Sequence, residues 1–324
     1  ATIWVAPRSA ITVDDGGVIR ADKGMSCSAA VNVKDSIARS EVKVLGLGNK
    51  TYTGSAIMPE PLLTYGSTIL TPKVDYTVAY SNNVKAGNAT VTIAGKGCFA
   101  GTTRTAAFKI VPAKVSSAKA EAIAVQAYTG KVVTPKPKLT FGGKALKLGT
   151  DYTLAYKGNV KAGTATVVVT GRGNFKGTKS VPFKIVAPTV SYRAYVQGDG
   201  WKAWATGGKT SGTTGKSKRA EAIGIKVSTL PVSGGITYRA YVQGSGWQAW
   251  TSNGATAGLA NKGRRLEALQ VKLTGKMAKR YDVLYRVHCQ RVGWTKWVKS
   301  GTVAGAAKSG LRIEALQVRL VPRG

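Results

Sequence analysis

Histidine occurs once in this 324-residue sequence, cysteine three times, and acidic residues only 14 times. Each scarcity excludes a class of function. Cys27, Cys98 and Cys289 show no metal-ligand spacing and His288 stands alone, so a zinc site is not expected and no cofactor is implied. The cysteines read as three free thiols, with a Cys27–Cys98 bridge as the lesser alternative. One histidine, scattered carboxylates, no nucleophile motif and no phosphate loop leave nothing from which to build an active site, so an enzyme is not expected. No apolar run approaches the roughly 18 residues that a membrane span needs, and no secretory leader is visible. No credible helical pattern exceeds Ser117–Gln126, which could equally be a strand.

Against these scarcities stand 48 Lys and Arg, a net charge of +34 spread along the whole chain. Such a surface attracts polyanions over long range, but charge alone does not choose among nucleic acid, wall polymer, sulfated glycan and anionic lipid. Glycine is also abundant, 40 residues placed at turns rather than in a linker tract. The hydrophobic fraction is ordinary, which argues for folded domains.

Two internal repeats organise the chain. In the first, Tyr52-Thr-Gly54 returns as Tyr128-Thr-Gly130, Asp75-Tyr-Thr-Val-Ala-Tyr80 as Asp151-Tyr-Thr-Leu-Ala-Tyr156, and Asn83-Val-Lys-Ala-Gly87 as Asn159-Val-Lys-Ala-Gly163, always 76 residues on. The internal period is that of strands: Ala89, Val91 and Ile93 alternate with Asn88, Thr90 and Thr92. Short strands with close Gly, Asn and Pro punctuation predict two antiparallel β-sandwiches, over 38–112 and 113–187. Asp75 and Asp151 are expected to cap turns. Together these residues resemble the immunoglobulin-like repeats of surface proteins in Gram-positive anaerobes. That resemblance implies a spacer.

The second repeat occurs three times between 188 and 320. Tyr192-Arg-Ala-Tyr-Val-Gln-Gly-Asp-Gly-Trp201-Lys-Ala-Trp204 returns from Tyr238 and again from Tyr285, 46 and then 47 residues on. The W-x-x-W pairs hold six of the seven tryptophans, so chemistry in this region is written in triplicate, which suits a repeated binding surface better than one catalytic centre. Each copy is too small to bury a core alone, and three closing about a pseudo-threefold axis would form a β-prism or a β-trefoil.

Strand alternation assigns the faces. Tyr192, Ala194 and Val196 point inward, while Arg193, Tyr195 and Gln197 point outward. The third copy places Cys289 where the others have valine, which predicts a buried thiol, and His288 where they have Tyr195 and Tyr241. Glu221, Glu267 and Glu314 fall on the core face of their strand, so each needs an arginine: Arg219, Arg265 and Arg312 two residues away, or Arg193, Arg239 and Arg286 across the sheet. Three symmetric single carboxylates do not supply the paired carboxylates of glycoside hydrolysis.

The triplicated line resembles the clostridial hydrophobic ChW repeat, with Tyr195 and Tyr241 departing from its usual histidine and Leu259 and Ala306 from the threonine kept as Thr213. The resemblance implies an extracellular, cell-surface or wall-associated, non-catalytic module. Its partner would be an anionic cell-wall polymer, peptidoglycan or a host glycan. The candidate ligand-binding residues are Arg193, Tyr195, Gln197 and Trp201; Arg239, Tyr241, Gln243 and Trp247; and Arg286, His288, Gln290 and Trp294. Of each tryptophan pair, Trp201, Trp247 and Trp294 are expected to be the more exposed, offering flat faces to sugar rings. Alternatives are the targeting tail of a secreted hydrolase and an adhesin for host glycans. Nucleic acid is disfavoured, since only charge supports it.

Two end segments complete the reading. Residues 1–37 suggest short strands at Ile3–Val5 and Ala29–Val33 with a turn at Asp14–Gly17, and could be the end of an upstream domain, with Trp4 docked on a neighbouring core. Leu320-Val-Pro-Arg-Gly324 resembles a thrombin site, so 321–324 is set aside as a tag remnant.

Overall fold

A computed structural model describes residues 35–323 together with the backbone of two short strands, Ile11–Val13 and Ile19–Ala21, which pair antiparallel. The expected strands at Ile3–Val5 and Ala29–Val33, the turn at Asp14–Gly17, Trp4 and Cys27 all lie outside the described residues. The chain is 51% strand and 4% helix, which settles an all-β class. Ser117–Gln126 contains no α-helix: a 3₁₀ turn ends at Ser117, and Lys119–Ala120 and Gln126–Ala127 are strands.

The 76-residue repeat is a repeat of topology. In the first copy the strands Lys50–Thr51, Thr103–Val111, Gly87–Gly95 and Tyr76–Ser81 form one sheet in that order, and Val42–Leu45, Leu62–Tyr65 and Thr68–Ile69 form another. The second copy repeats both orders with Gln126–Ala127, Thr178–Val186, Gly163–Gly171 and Tyr152–Lys157, and with Lys119–Ala120, Leu139–Phe141 and Lys144–Ala145. Alternation buries Ala89, Val91 and Ile93, which join Val42 and Leu63 of the other sheet in one core. One pairing differs from a purely antiparallel sandwich: Lys50–Thr51 runs parallel to Ile110–Val111, and Gln126–Ala127 runs parallel to Ile185–Val186. Asp75 and Asp151 each accept a hydrogen bond from the backbone N–H four residues earlier, at 2.7 and 2.8 Å, closing the same turn twice.

The chain divides into two compact units, with the division running through the second sandwich repeat: Ala1–Ala120, Lys138–Leu154 and Val169–Lys179 form one, and Glu121–Pro137, Ala155–Val168 and Ser180–Gly324 the other. Within the first unit the Tyr52 ring stacks on Phe141, centroids 5.9 Å apart, and meets Phe175 edge-on at 5.4 Å. Within the second unit the equivalent Tyr128 offers its carbonyl to the Tyr281 hydroxyl at 2.8 Å. The Tyr-Thr-Gly signature thus marks a contact segment in both copies.

The triple repeat supplies the larger core. Its six long strands are β1 Thr189–Val196, β2 Ala220–Ser228, β3 Gly234–Val242, β4 Leu266–Thr274, β5 Tyr281–Cys289 and β6 Ile313–Pro322. Within each copy the two long strands pair antiparallel, with a register shift at Tyr195/Val196, Tyr241/Val242 and His288/Cys289. A two-residue strand then crosses to another copy. Ser211–Gly212 pairs with β6, Ala257–Gly258 with β2 and Ala304–Gly305 with β4. Copy one thus lends to three, two to one and three to two, which closes a ring.

The lending strand can approach only because it carries glycine. A Cβ on Gly212, Gly258 or Gly305 would stand 2.4–2.5 Å from the carbonyl oxygen of Glu314, Glu221 or Glu267. Inside the ring, Tyr192, Tyr238 and Tyr285 are fully buried beside Val196, Val242 and Cys289. Each tyrosine hydroxyl donates to a carbonyl in a turn of its own copy, on Lys209, Ala255 and Thr302. A single short helix, α1 Gly275–Arg280, links β4 to β5 and buries Met277. Val321 and Pro322, set aside above as a tag remnant, continue β6 opposite Asp282 and Tyr281.

Candidate functional site

The outward face of each sheet carries the same file of alternating rings and cations. In copy one the Arg193 guanidinium lies 4.4 Å from the Trp201 ring centroid and 4.6 Å from that of Trp204, while the Lys226 ammonium lies 4.2 Å from Trp204. Tyr195 closes the file edge-on to Trp201 at 5.6 Å. Copy two repeats this with Lys272, Trp250, Arg239, Trp247 and Tyr241, and copy three with Arg319, Trp297, Arg286, Trp294 and His288. Each arginine is held between two indoles, contacts worth about 0.5–1 kcal/mol where exposed and more where water is excluded.

Strand geometry explains the assembly. Arg193 and Tyr195 alternate with the buried Tyr192, Ala194 and Val196 on β1, and Trp201 pairs opposite Tyr195 through a two-residue return strand. Lys226 reaches the same face from β2.

This arrangement corrects the expectation for the indoles. Trp201, Trp247 and Trp294 are half-buried, and in copy two it is the partner, Trp250, that is the more exposed at 37%. The first tryptophan of each pair carries an arginine guanidinium near its ring and meets Tyr195, Tyr241 or His288 at a steep angle. Gln197 is exposed, whereas Gln243 and Gln290 are half-buried. The second tryptophans and the cations Lys226, Lys272 and Arg319 were absent from the sequence-derived set. The signal was legible: these cations recur in register, two residues past Gly224, Gln270 and Gln317, on the outward side of β2, β4 and β6.

Beneath the files lie the carboxylates. Glu221, Glu267 and Glu314 are 3–4% exposed, and each accepts a hydrogen bond from Nε of the arginine two residues before it at 2.9 Å. The cross-sheet arginines are engaged by the indoles instead. His288 Nδ1 stands 3.1 Å from the second oxygen of Glu314, and its ring meets Trp294 as the tyrosines meet theirs, 5.4 Å away at 80°. Burial pushes the Cys289 thiol up to about 11, with the Glu314 charge adding to the effect, so this cysteine stays protonated at neutral pH.

The sequence of these three copies is diagnostic. Residues 195–229, 241–275 and 288–322 each match the family model of ChW, Clostridial hydrophobic W. The three matches start at Tyr195, Tyr241 and His288, so each ChW repeat runs from the ring that ends a file, through both indoles, to the far end of the long strand. No curated protein matches the chain. A solved structure of the Bacteroides ovatus mixed-linkage glucan utilization locus protein SGBP-B, in complex with a mixed-linkage heptasaccharide, is 9% identical, with 86% of this chain and 100% of that chain covered. Its TM-score is 0.15, too low to carry an argument.

The ChW repeats therefore present three like-built cationic surfaces around one rigid core.

Proposed function

We propose that this chain is a non-catalytic, extracellular surface protein of a Gram-positive anaerobe that binds an anionic wall polymer or glycan through its three ChW repeats. The observation that carries the reading is the triplicated file of two cations and two indoles. Rings that hold the guanidiniums in place leave the terminal N–H groups, together with Lys226, Lys272 and Arg319, to meet ligand oxygens, and the cations lie against rings on which a neutral sugar would stack. The files therefore suit phosphate, carboxylate or sulfate groups spaced along a polymer. Three such surfaces on one body gain avidity on a repetitive ligand, and a net charge of +34 draws that ligand in.

The two sandwich repeats, read as immunoglobulin-like domains, serve as a spacer. The ring of three sheets is read as prism-like, because each copy builds one sheet around a single core. The buried ion pairs support a structural role for Glu221, Glu267 and Glu314. Retention on purified Gram-positive walls, compared before and after chemical removal of the anionic polymer, tests the proposal. Strong retention on intact walls and weak retention on stripped ones is expected; equal retention on both would overturn it.

A further inference from the structure

The three files are not equivalent, and the difference lies in one side chain. In copy two Gln270 sits opposite Arg239; its Oε1 accepts from Arg239 Nε at 2.7 Å, and its Nε2 donates to the Gly301 carbonyl of copy three at 2.9 Å. In copy three Gln317 does the same between Arg286 Nε, at 2.8 Å, and Thr210 Oγ1 of copy one, at 2.9 Å. The carboxamide thus bridges a file to the turn of another copy. In copy one the residue opposite Arg193 is Gly224, and Arg193 Nε is buried with no hydrogen-bond partner.

A buried, unpaired donor is costly, and native structures satisfy nearly all of them with protein, water or a bound group. The surroundings define that group. The turn of copy two brings the Gly254 carbonyl to within 3.2 Å of the place a residue-224 Cβ would take, closer than a glutamine there would leave it. Trp204 borders the same place at 3.5 Å. A donor, an acceptor and an indole edge therefore surround the position of a missing carboxamide.

Resting on the binding role proposed above, we propose that copy one holds a specific sugar subsite, in which a neutral group of the ligand takes the place of the glutamine amide. The group accepts from Arg193 Nε and donates to Gly254 O, as a sugar hydroxyl or an acetamido group does. Phosphodiester and sulfate-ester groups bear no proton to donate at neutral pH, so the subsite rejects them while the rest of the file attracts them. Entry requires the Gly254 turn to stand back by the small distance that a Cβ at residue 224 would also demand. Copies two and three are closed to the same group, because their own glutamines fill the position.

Calorimetric titration of the full chain with an N-acetylglucosamine tetramer, a glucose tetramer and inorganic sulfate tests this. One equivalent of sugar is expected to bind. Binding of both tetramers assigns the hydroxyl, and binding of the N-acetylated one alone assigns the acetamido group. Gly224→Gln supplies the missing bridge, so it should weaken sugar binding about tenfold or more while an unchanged near-ultraviolet spectrum shows the fold kept. Gln270→Gly should raise the stoichiometry to two. Binding of neither sugar, unchanged binding by G224Q, three equivalents in the unaltered chain, or displacement of sugar by sulfate would each overturn the subsite. Wall retention is read on the same samples: a chain retained on walls that binds neither sugar overturns the subsite alone, whereas a chain not retained overturns the wider proposal.

Discussion

At the scale of single residues, the buried ion pairs are the clearest case of sequence dictating chemistry. Glu267 stands on the same strand face as Leu269 and Val271, and alternation alone requires a cation for it. The structure answers with Arg265, and the reason lies in reach: two residues along a strand point to one face, while Arg239 is drawn away by Trp247 and Trp250. The two partners are unequal in exposure, 27% for Arg265 against 4% for the carboxylate side chain. Arg265→Met strands a buried charge and should cost about 3–5 kcal/mol, whereas Glu267→Gln leaves an arginine that reaches water and should cost about 1–3 kcal/mol. Denaturant unfolding of the two variants checks the order; a larger loss for E267Q would contradict it.

Cys289 and His288 were legible for the same reason, since register with Val196, Tyr195 and their second-copy counterparts explains both without reactivity. Maleimide at pH 8 should label the exposed Cys98 in the folded chain and leave Cys289 unlabelled until denaturation. Burial raises Cys289 from 9.0 to about 11 and Tyr285 from 10.0 to about 12. Both groups are neutral when protonated, so the native state keeps protons that the unfolded chain releases. The stability they contribute is complete below pH 9 and is lost as pH rises towards 12. A thermal unfolding series from pH 8 to pH 11 should show Tm falling, and a rising Tm would refute the assignment.

At the scale of elements, sequence alternation located the long strands and their inward faces, but not the partners of the short ones. Ser211–Gly212, Ala257–Gly258 and Ala304–Gly305 are too short to carry a pattern, and their pairing crosses between copies, which periodicity within one copy does not encode. The repeated glycine at 212, 258 and 305 was visible, and its purpose emerges only from the 2.4–2.5 Å approach to the neighbouring carbonyl. Gly258→Ala forces that seam apart. A loss of several °C in Tm is expected, against little change for Gly198→Ala, where nothing lies within 4 Å of a new Cβ although its positive φ carries a modest strain. Equal losses would show that the seam tolerates bulk. The parallel pairing of Lys50–Thr51 with Ile110–Val111 was hidden likewise, since two residues at a sheet edge display no period.

At the scale of the whole molecule, the triplication was plain in the sequence and the exchange of short strands between copies was not. Three copies of one line imply a shared core, and the cyclic exchange of strands is what joins them to it. The same exchange sets the turn of one copy against the file of another, so each file is built at a seam and depends on the ring being closed. The indoles were found from sequence, but their partners were not: W-x-x-W suggested open faces for sugar, and strand pairing puts arginine over them instead. Of the partners expected from sequence, the proposed function therefore favours the anionic polymer.

The most direct test removes the cationic ends of the files while leaving the arginines between the indoles. Lys226→Gln, Lys272→Gln and Arg319→Gln combined should keep the fold, judged by an unchanged near-ultraviolet spectrum and a Tm within a few °C. Retention on walls bearing anionic polymer is then compared with that of the unaltered chain at two salt concentrations. The account predicts that retention of the unaltered chain falls steeply with salt, because fields are screened beyond about 8 Å at physiological ionic strength, and that the triple variant is retained weakly even at low salt. A folded triple variant retained as firmly as the unaltered chain would contradict it.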